Sequence, residues 1–159
     1  MCLMAFVLFT AFAPARYTTQ LVAPNASGGY LDASEWDFSQ SGPIKLDGEW
    51  EFYWNQLLYP KDFQSSPKAD GYMLVPSAWS GYVGNNQLTD KGFATYRLRV
   101  RLGDEPVYMG IKTVSIRMSY RMFIDGTLVL SSGNPASSPQ AGYVTANVPH
   151  NVSFNPHRQ

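Results

Sequence analysis

The sequence predicts an all-β fold, a β-sandwich or jelly roll, on three observations. Apolar and polar side chains alternate over residues 50–54 and again over residues 96–102, which is the period of a strand with one buried face. Asp125-Gly126 separates two apolar-rich runs, as in a two-residue hairpin turn whose central residues take positive φ. The 13 Gly and 11 Pro supply frequent turn signals, and only Asn55–Leu58 looks briefly helical. Many short strands with little helix favour packed sheets.

The first predicted strand has two chemically different faces. Trp50, Phe52 and Trp54 share one face, which we predict to be core because large aromatic side chains alternate along it. Glu49 and Glu51 share the other face, which we predict to be solvated.

Alternation of apolar and polar residues also predicts the later strands. Residues 96–102 turn apolar side chains toward the core and carry three guanidinium groups on the other face, those of Arg97, Arg99 and Arg101. A further strand is predicted over residues 113–118, where apolar and polar residues alternate. The hairpin then joins Met122–Ile124 to a returning strand over Thr127–Leu130.

Composition bounds the class of protein. The chain has 159 residues, 45% of them hydrophobic, and 12 Lys plus Arg balance 12 Asp plus Glu, which suits one globular domain. Without an excess of positive charge it is a poor match for a nucleic-acid partner. The single cysteine, Cys2, excludes an intrachain disulfide and a cysteine-based metal cluster.

The N-terminus predicts export. Leu3–Phe12 is an apolar run of about ten residues, long enough for a signal-peptide core and too short to span a bilayer. Small-residue cleavage signals follow it, so we expect a signal peptide over residues 1–15, a linker over 16–28 and the domain over 29–159. No Lys or Arg precedes the run, which leaves a buried N-terminal strand or helix as the alternative.

Catalytic and metal-binding patterns are weak, so we predict a protein that is not an enzyme and uses no metal or cofactor. His150 and His157 have no Asp, Glu or Cys close by in sequence to complete a metal set. No Gly-x-Ser-x-Gly nucleophile motif occurs. The carboxylates of Glu49 and Glu51 could approach each other as a glycosidase acid requires, but a solvated strand face is the favoured interpretation.

The predicted ligand-binding residues lie mainly in a Gly-rich stretch without strand pattern. They are Trp79, Tyr82, Asn85 and Asn86. An aromatic ring can cover the C–H groups of a sugar while amides donate and accept hydrogen bonds to hydroxyls. The alternative for Trp79 is that it packs into the end of the sandwich. Arg97 is the fifth candidate, because a guanidinium binds a carboxylate with two N–H groups, and the alternative for it is a solvated strand face.

Three motifs in order carry a family resemblance. They are Gly48-Glu49-Trp50-Glu51-Phe52-Tyr53-Trp54, then Val75-Pro76-Ser77-Ala78-Trp79, then Gly92-Phe93-Ala94-Thr95-Tyr96-Arg97-Leu98. With the hairpin at Ile124–Val129, the chain resembles the extracellular domain of bacterial seven-transmembrane receptors with diverse intracellular signalling modules. The match covers about residues 29–149. Its motifs are shared in part with the sugar-binding β-sandwich domain of many glycoside hydrolases.

The resemblance implies a galactose-binding-like jelly roll on the outer side of the cytoplasmic membrane. It would act as a sensor domain that binds a carbohydrate or similar small polar ligand, with membrane attachment only through a following seven-helix region. The family continues with a further strand beyond the position of Gln159, so we expect a domain truncated at its C-terminal end. The alternatives are an accessory sugar-binding domain of a secreted glycoside hydrolase and a module that binds a protein through a sheet edge.

Overall fold

The computed structural model describes residues 22–89, 91–104, 108–113, 116, 118–146 and 149–155, and all structural statements below concern these residues. The strands are β1 Tyr30–Ala33, β2 Gly48–Trp54, β3 Gly71–Val75, β4 Tyr82–Val83, β5 Asn86–Gln87, β6 Ala94–Arg97, β7 Arg99–Leu102, β8 Met109–Thr113, β9 Tyr120–Ile124, β10 Thr127–Ser132 and β11 His150–Phe154. The helices are α1 Phe38–Ser41 and two 3₁₀ turns, Pro60–Ser65 and Pro139–Ala141. The predicted all-β class is confirmed, whereas the jelly-roll arrangement of these strands stays a prediction.

A three-stranded antiparallel sheet in the order β3-β2-β6 organises the first half of the chain. Phe52 lies opposite Gly71 on β3 and Tyr96 on β6, and the rings of Phe52 and Tyr96 meet edge to face at 4.9 Å. This face packs into a cluster whose buried members are Phe52, Trp54, Met73, Val83 and Leu88. The prediction that the aromatic face of β2 is core is confirmed.

A second cluster forms where β1 pairs in parallel with β7. Its buried members are Ala26, Leu31 and Ala33, and Trp50 packs against them. Ala26 also bridges to Gly48 at the start of β2, so the folded part includes residues of the predicted linker, 16–28. The predicted signal peptide, residues 1–15, lies outside the described residues.

The hairpin at Asp125-Gly126 has the predicted form. Asp125 has φ 48° and Gly126 has φ 81°, as both central residues of such a turn require, and β9 pairs with β10 across it. A β-bulge shifts the register between Leu128 and Leu130.

Two local predictions fail in the described residues. Of the strand predicted over residues 113–118, Thr113 is in a strand, as the last residue of β8, which pairs with β11. Ile116 and Met118 are not in a strand, and Met118 has a positive φ of 78°. Val114, Ser115 and Arg117 lie outside the described residues. The short helix predicted at Asn55–Leu58 is absent, and a 3₁₀ helix begins instead at Pro60, where the fixed φ of proline suits a first helical position.

None of the helices in the described part of the chain has the length and apolar character that crossing a bilayer requires.

The two faces of β3 give the first testable prediction. Met73 is buried, so Met73→Ala should lower the free energy of unfolding by about 2–5 kcal/mol through lost packing. Its neighbour Leu74 is 62% exposed, and Leu74→Ala should change it by no more than about 0.5 kcal/mol. Urea unfolding of both variants measures the difference. Equal losses would contradict the assignment of the buried face.

Candidate functional site

A cleft of about 530 Å³ opens on the face of the three-stranded sheet that lies opposite the Phe52 core. Strand pairing creates this face, because Glu51 lies directly opposite Tyr72 on β3 and Arg97 on β6. These three side chains form a row across the sheet. We call the feature the Glu51 cleft and define it by Glu51, Tyr53, Phe63, Lys68, Tyr72, Arg97 and Arg99.

The carboxylate of Glu51 is the buried charge of this cleft, with 12% of its side chain exposed. Arg97 Nη1 lies 3.6 Å from Oε2, and Arg99 Nη2 donates to Oε1 at 3.2 Å. The Tyr53 hydroxyl donates to Oε2 at 2.9 Å. A carboxylate loses several kcal/mol of hydration when it is buried without partners. The two guanidinium groups and the phenol are therefore what allow Glu51 to lie inside the fold.

Tyr53 acts in this network as a neutral hydrogen-bond donor. Burial, and then the hydrogen bond to Glu51, raise the pKa of Tyr53 above its ordinary value. The phenol consequently keeps its proton at neutral pH and orients one oxygen of the Glu51 carboxylate.

Phe63 also contacts the guanidinium of Arg97. The guanidinium carbon of Arg97 lies 4.6 Å from the centroid of the Phe63 ring, in a cation–π contact. The Phe63 ring also meets Tyr53 edge to face at 5.4 Å. The 3₁₀ helix that carries Phe63 is capped by Asp62, which accepts the backbone N–H of Tyr59 at 2.8 Å. Arg97 is thus fixed between an aromatic ring and a carboxylate.

The open side of the cleft combines an aromatic ring with further positive charge. Tyr72 is 54% exposed on β3, which is the edge strand of its sheet. The side chain of Arg99 is 57% exposed although its guanidinium reaches Glu51. Lys68 lies on the exposed segment between the 3₁₀ helix and β3. A ligand in the cleft would meet ring faces and N–H donors together.

The structure places the predicted site residue Trp79 half-buried against the hydrophobic cluster that contains Phe52. Its ring packs edge to face against Trp54 at 5.0 Å, and its Nε1–H donates to the Tyr96 hydroxyl at 2.6 Å. Burial raises the pKa of Tyr96, so this phenol stays neutral. These contacts are those expected of the alternative interpretation, in which Trp79 packs into the end of the fold.

The other predicted loop residues lie on a small hairpin of β4 and β5. Tyr82 is 69% exposed, and Asn85 is exposed in the turn. Asn86 is half-buried and donates from Nδ2 to Asp70 at 2.9 Å. Asp70 also accepts the backbone N–H of Trp54 at 2.8 Å, so the Asn86 amide ties the hairpin to β2.

Arg97 is not brought together with those residues. Alternation along β6 turns Tyr96 toward Trp79 and turns Arg97 to the opposite face, where the Glu51 cleft lies. Arg97 and Trp79 therefore lie on opposite faces of the three-stranded sheet, and the other three predicted residues lie on the β4–β5 hairpin.

The predicted solvated face of β2 is wrong for Glu51. Its carboxylate is buried under Arg97 and Arg99, whereas Glu49 accepts hydrogen bonds from Ser27 Oγ at 3.3 Å and from the backbone of Gly28 at 3.0 Å. The two glutamates have separate partners and do not form an acid pair. Opposite charges at alternate positions of two neighbouring strands were the sequence signal for this arrangement.

His150 makes a contact between two strands. His150 Nδ1 lies 3.0 Å from the Tyr120 hydroxyl, which ties β11 to β9, and His157 lies outside the described residues. In the part of the chain that the structure describes, no three His, Cys, Asp or Glu side chains group as metal ligands would.

A second hollow is smaller and less polar. It measures about 240 Å³ and lies beside β10 and β11, lined by Ile124, Asp125, Thr127, Val129, Ser153, Phe154 and Asn155. Asp125 is the single ionisable residue of this lining, compared with six in the Glu51 cleft. Of these two hollows, the Glu51 cleft therefore has more of the charged and polar side chains that could contact a polar ligand.

Comparisons of the chain with family models, with curated proteins and with solved structures find no match. The resemblance to the extracellular receptor domain accordingly stays a prediction from the motifs.

Two adjacent glycines test how Glu51 is held. Gly29 has φ +74°, and a Cβ there would lie 2.6 Å from Glu51 Cγ. Gly28 has φ +56° with open space around it. Both alanine variants carry the cost of a left-handed backbone, about 1–3 kcal/mol, but only Gly29→Ala must displace Glu51 as well. We expect Gly29→Ala to be the less stable of the two in denaturant unfolding. Equal stability would contradict the close approach to Glu51.

Trp79 gives a second prediction. Trp79→Ala should lower the free energy of unfolding by about 3 kcal/mol, because it removes an aromatic side chain packed on the core. Trp79→Phe keeps ring packing and loses the hydrogen bond to Tyr96, at a cost of about 1 kcal/mol. Tyr82→Ala on the exposed hairpin should change stability by less than about 0.5 kcal/mol and serves as the control. An unchanged urea midpoint in Trp79→Ala would show that the indole does not stabilise the core.

Proposed function

We propose that this domain binds a small polar ligand, a carbohydrate or a compound of similar chemistry, in the Glu51 cleft and does not change it chemically. The row of Tyr72, Glu51 and Arg97 across the sheet is the observation that carries the proposal. It sets an exposed aromatic ring beside fixed hydrogen-bond donors and a fixed acceptor.

Those groups match the surface of a sugar ring. An aromatic face covers C–H groups, while guanidinium N–H groups donate to hydroxyl oxygens and the Glu51 carboxylate accepts from a hydroxyl. The volume of about 530 Å³ lies within the range of about 300–1,000 Å³ that is common for small-molecule sites. Neither glutamate of β2 is set up as a catalytic acid, which favours binding over hydrolysis.

We further propose that the domain is the sensor of a membrane receptor and lies outside the cytoplasm. The apolar run Leu3–Phe12 and the order of the three motifs support this placement. Signalling would require that the ligand bind one conformation of the receptor better than another. The accessory domain of a secreted glycoside hydrolase remains the alternative, because it shares the Pro-x-x-Trp and Tyr-Arg elements. Seven hydrophobic helices or a catalytic domain in the sequence that follows would distinguish the two.

Variants of two exposed tyrosines can distinguish a ligand that binds in the Glu51 cleft from one that binds on the β4–β5 hairpin. A thermal-shift screen against saccharides, organic acids and nucleotides identifies a ligand, since binding to the folded state raises the Tm. Tyr72→Ala should then weaken its affinity by on the order of tenfold, about 1.4 kcal/mol, through loss of the ring contact. Tyr82→Ala should leave the affinity unchanged.

The reverse result would move the site to the β4–β5 hairpin and overturn the proposed cleft. Absence of a shift with every class, in a chain that unfolds cooperatively, would count against a small-molecule ligand. Both tyrosines are exposed, so unfolding of either variant alone should match that of the unmodified chain.

A further inference from the structure

The charge of the Glu51 cleft is unbalanced. The chain as a whole has a formal net charge of +0, yet Lys68, Arg97 and Arg99 line the cleft against the single carboxylate of Glu51. Charges of one sign that line a concave surface attract ligands of the opposite sign. The excess is therefore a local property of this surface.

The neighbouring carboxylates do not offset the excess, because each is engaged elsewhere. Glu49 accepts from Ser27 and Gly28 at the start of the domain. Asp62 caps the 3₁₀ helix, and Asp70 faces Trp54 and Asn86. None of the three carboxylates lines the cleft.

Glu51 engages one nitrogen of each arginine. Its contacts are with Nη1 of Arg97 and Nη2 of Arg99. A guanidinium carries five N–H donors, so the contact with Glu51, and for Arg97 also a hydrogen bond with Tyr53, leave further N–H groups for a second anion. The Phe63 ring also packs against the Arg97 guanidinium. The cleft thus presents preoriented N–H donors with a positive charge.

The geometry points to an acidic saccharide as the ligand, a sugar whose carboxylate is held by Arg97, Arg99 and Lys68 while its ring lies against Tyr72. This assignment rests on the proposed function of the cleft and names the chemical class within it. A planar carboxylate can accept two parallel N–H bonds from a guanidinium edge. Tyr72 supplies the apolar face that a simple organic acid would not use.

The test compares uronic acids with the neutral sugars of the same ring configuration. Isothermal titration of the full chain uses galacturonate against galactose, glucuronate against glucose, and succinate as an acid without a sugar ring. We expect one uronate to bind at least about tenfold more tightly than its neutral partner and than succinate. The advantage should shrink when salt is raised from about 0.05 M to about 0.5 M, because added ions screen the attraction.

Two arginines of one strand provide a matched pair of variants. Arg99→Gln should weaken uronate binding by on the order of tenfold and weaken the binding of the neutral sugar by a smaller factor, because only the uronate also loses a charge-assisted contact. Arg101→Gln is the control, because its guanidinium lies 3.8 Å from Asp32 and does not line the cleft. Lys68→Gln, at an exposed position, should also weaken uronate binding. This variant keeps the test valid if Arg99→Gln does not fold.

Each outcome separates this inference from the proposed function. Equal affinity for the uronate and its neutral partner, or succinate bound as tightly as the uronate, would overturn the acidic saccharide and leave a small-ligand site in place. Uronate affinity that survives both Arg99→Gln and Lys68→Gln would also overturn it. Failure of every saccharide and of the wider thermal-shift panel to bind the folded chain would remove the proposed function itself.

Discussion

The carboxylate of Glu51 lies where the principal strands of the first half of the chain meet. It belongs to β2, and its cationic partners Arg97 and Arg99 belong to β6 and β7. The backbone N–H of Arg99 also donates to the carbonyl oxygen of Gly29 at 3.0 Å, and Gly29 lies directly against the Glu51 side chain. A buried charge is tolerated only with partners in place, and removal of one partner is far more costly than removal of an exposed pair. The relative positions of these strands and of the segment before β1 all depend on this network.

The same strand supplies both the core and the candidate site, because its side chains alternate. Phe52 and Trp54 build the hydrophobic cluster on one face, while Glu51 and Tyr53 build the cleft on the other. A shift of one residue in the register of β2 would place aromatic rings in the cleft and a carboxylate in the core. Packing on the core face therefore specifies the position of Glu51 and, through strand pairing, that of Arg97.

Local signals in the sequence predicted the local structure well. Strict alternation predicted the buried face of β2, and Asp125-Gly126 predicted its turn because only a few residue types accept positive φ at both positions. Among the described residues, the strand expected over residues 113–118 is found only at Thr113, where β8 ends, because alternation alone does not decide which stretch pairs. The partner strand β11 decides that choice, and it comes almost 40 residues later in the chain.

The candidate site was harder to predict, because it depends on which strands are neighbours. The sequence drew attention to Trp79 as a loop aromatic, but a contact with Trp54 and a hydrogen bond to Tyr96 require the tertiary fold. Arg97 was correctly singled out as a residue that can bind a carboxylate. Its partner Glu51, however, is 46 residues away in the sequence and was expected to face solvent. Tyr72 carries no local signal at all, since it becomes a wall of the cleft only when β3 pairs with β2.

The network around Glu51 also orients the groups that the proposed ligand would contact. A flexible cationic side chain loses on the order of 0.5–1.5 kcal/mol of conformational freedom when a ligand immobilises it. For Arg97 that loss has occurred during folding, because Phe63 and Glu51 already hold its guanidinium. The guanidinium of Arg99 is held by Glu51 although its side chain is largely exposed. The exposed side chain of Lys68 would lose conformational freedom only when a ligand binds. The partners that allow Glu51 to be buried thus hold the guanidinium groups of two arginines in place before the proposed ligand would bind.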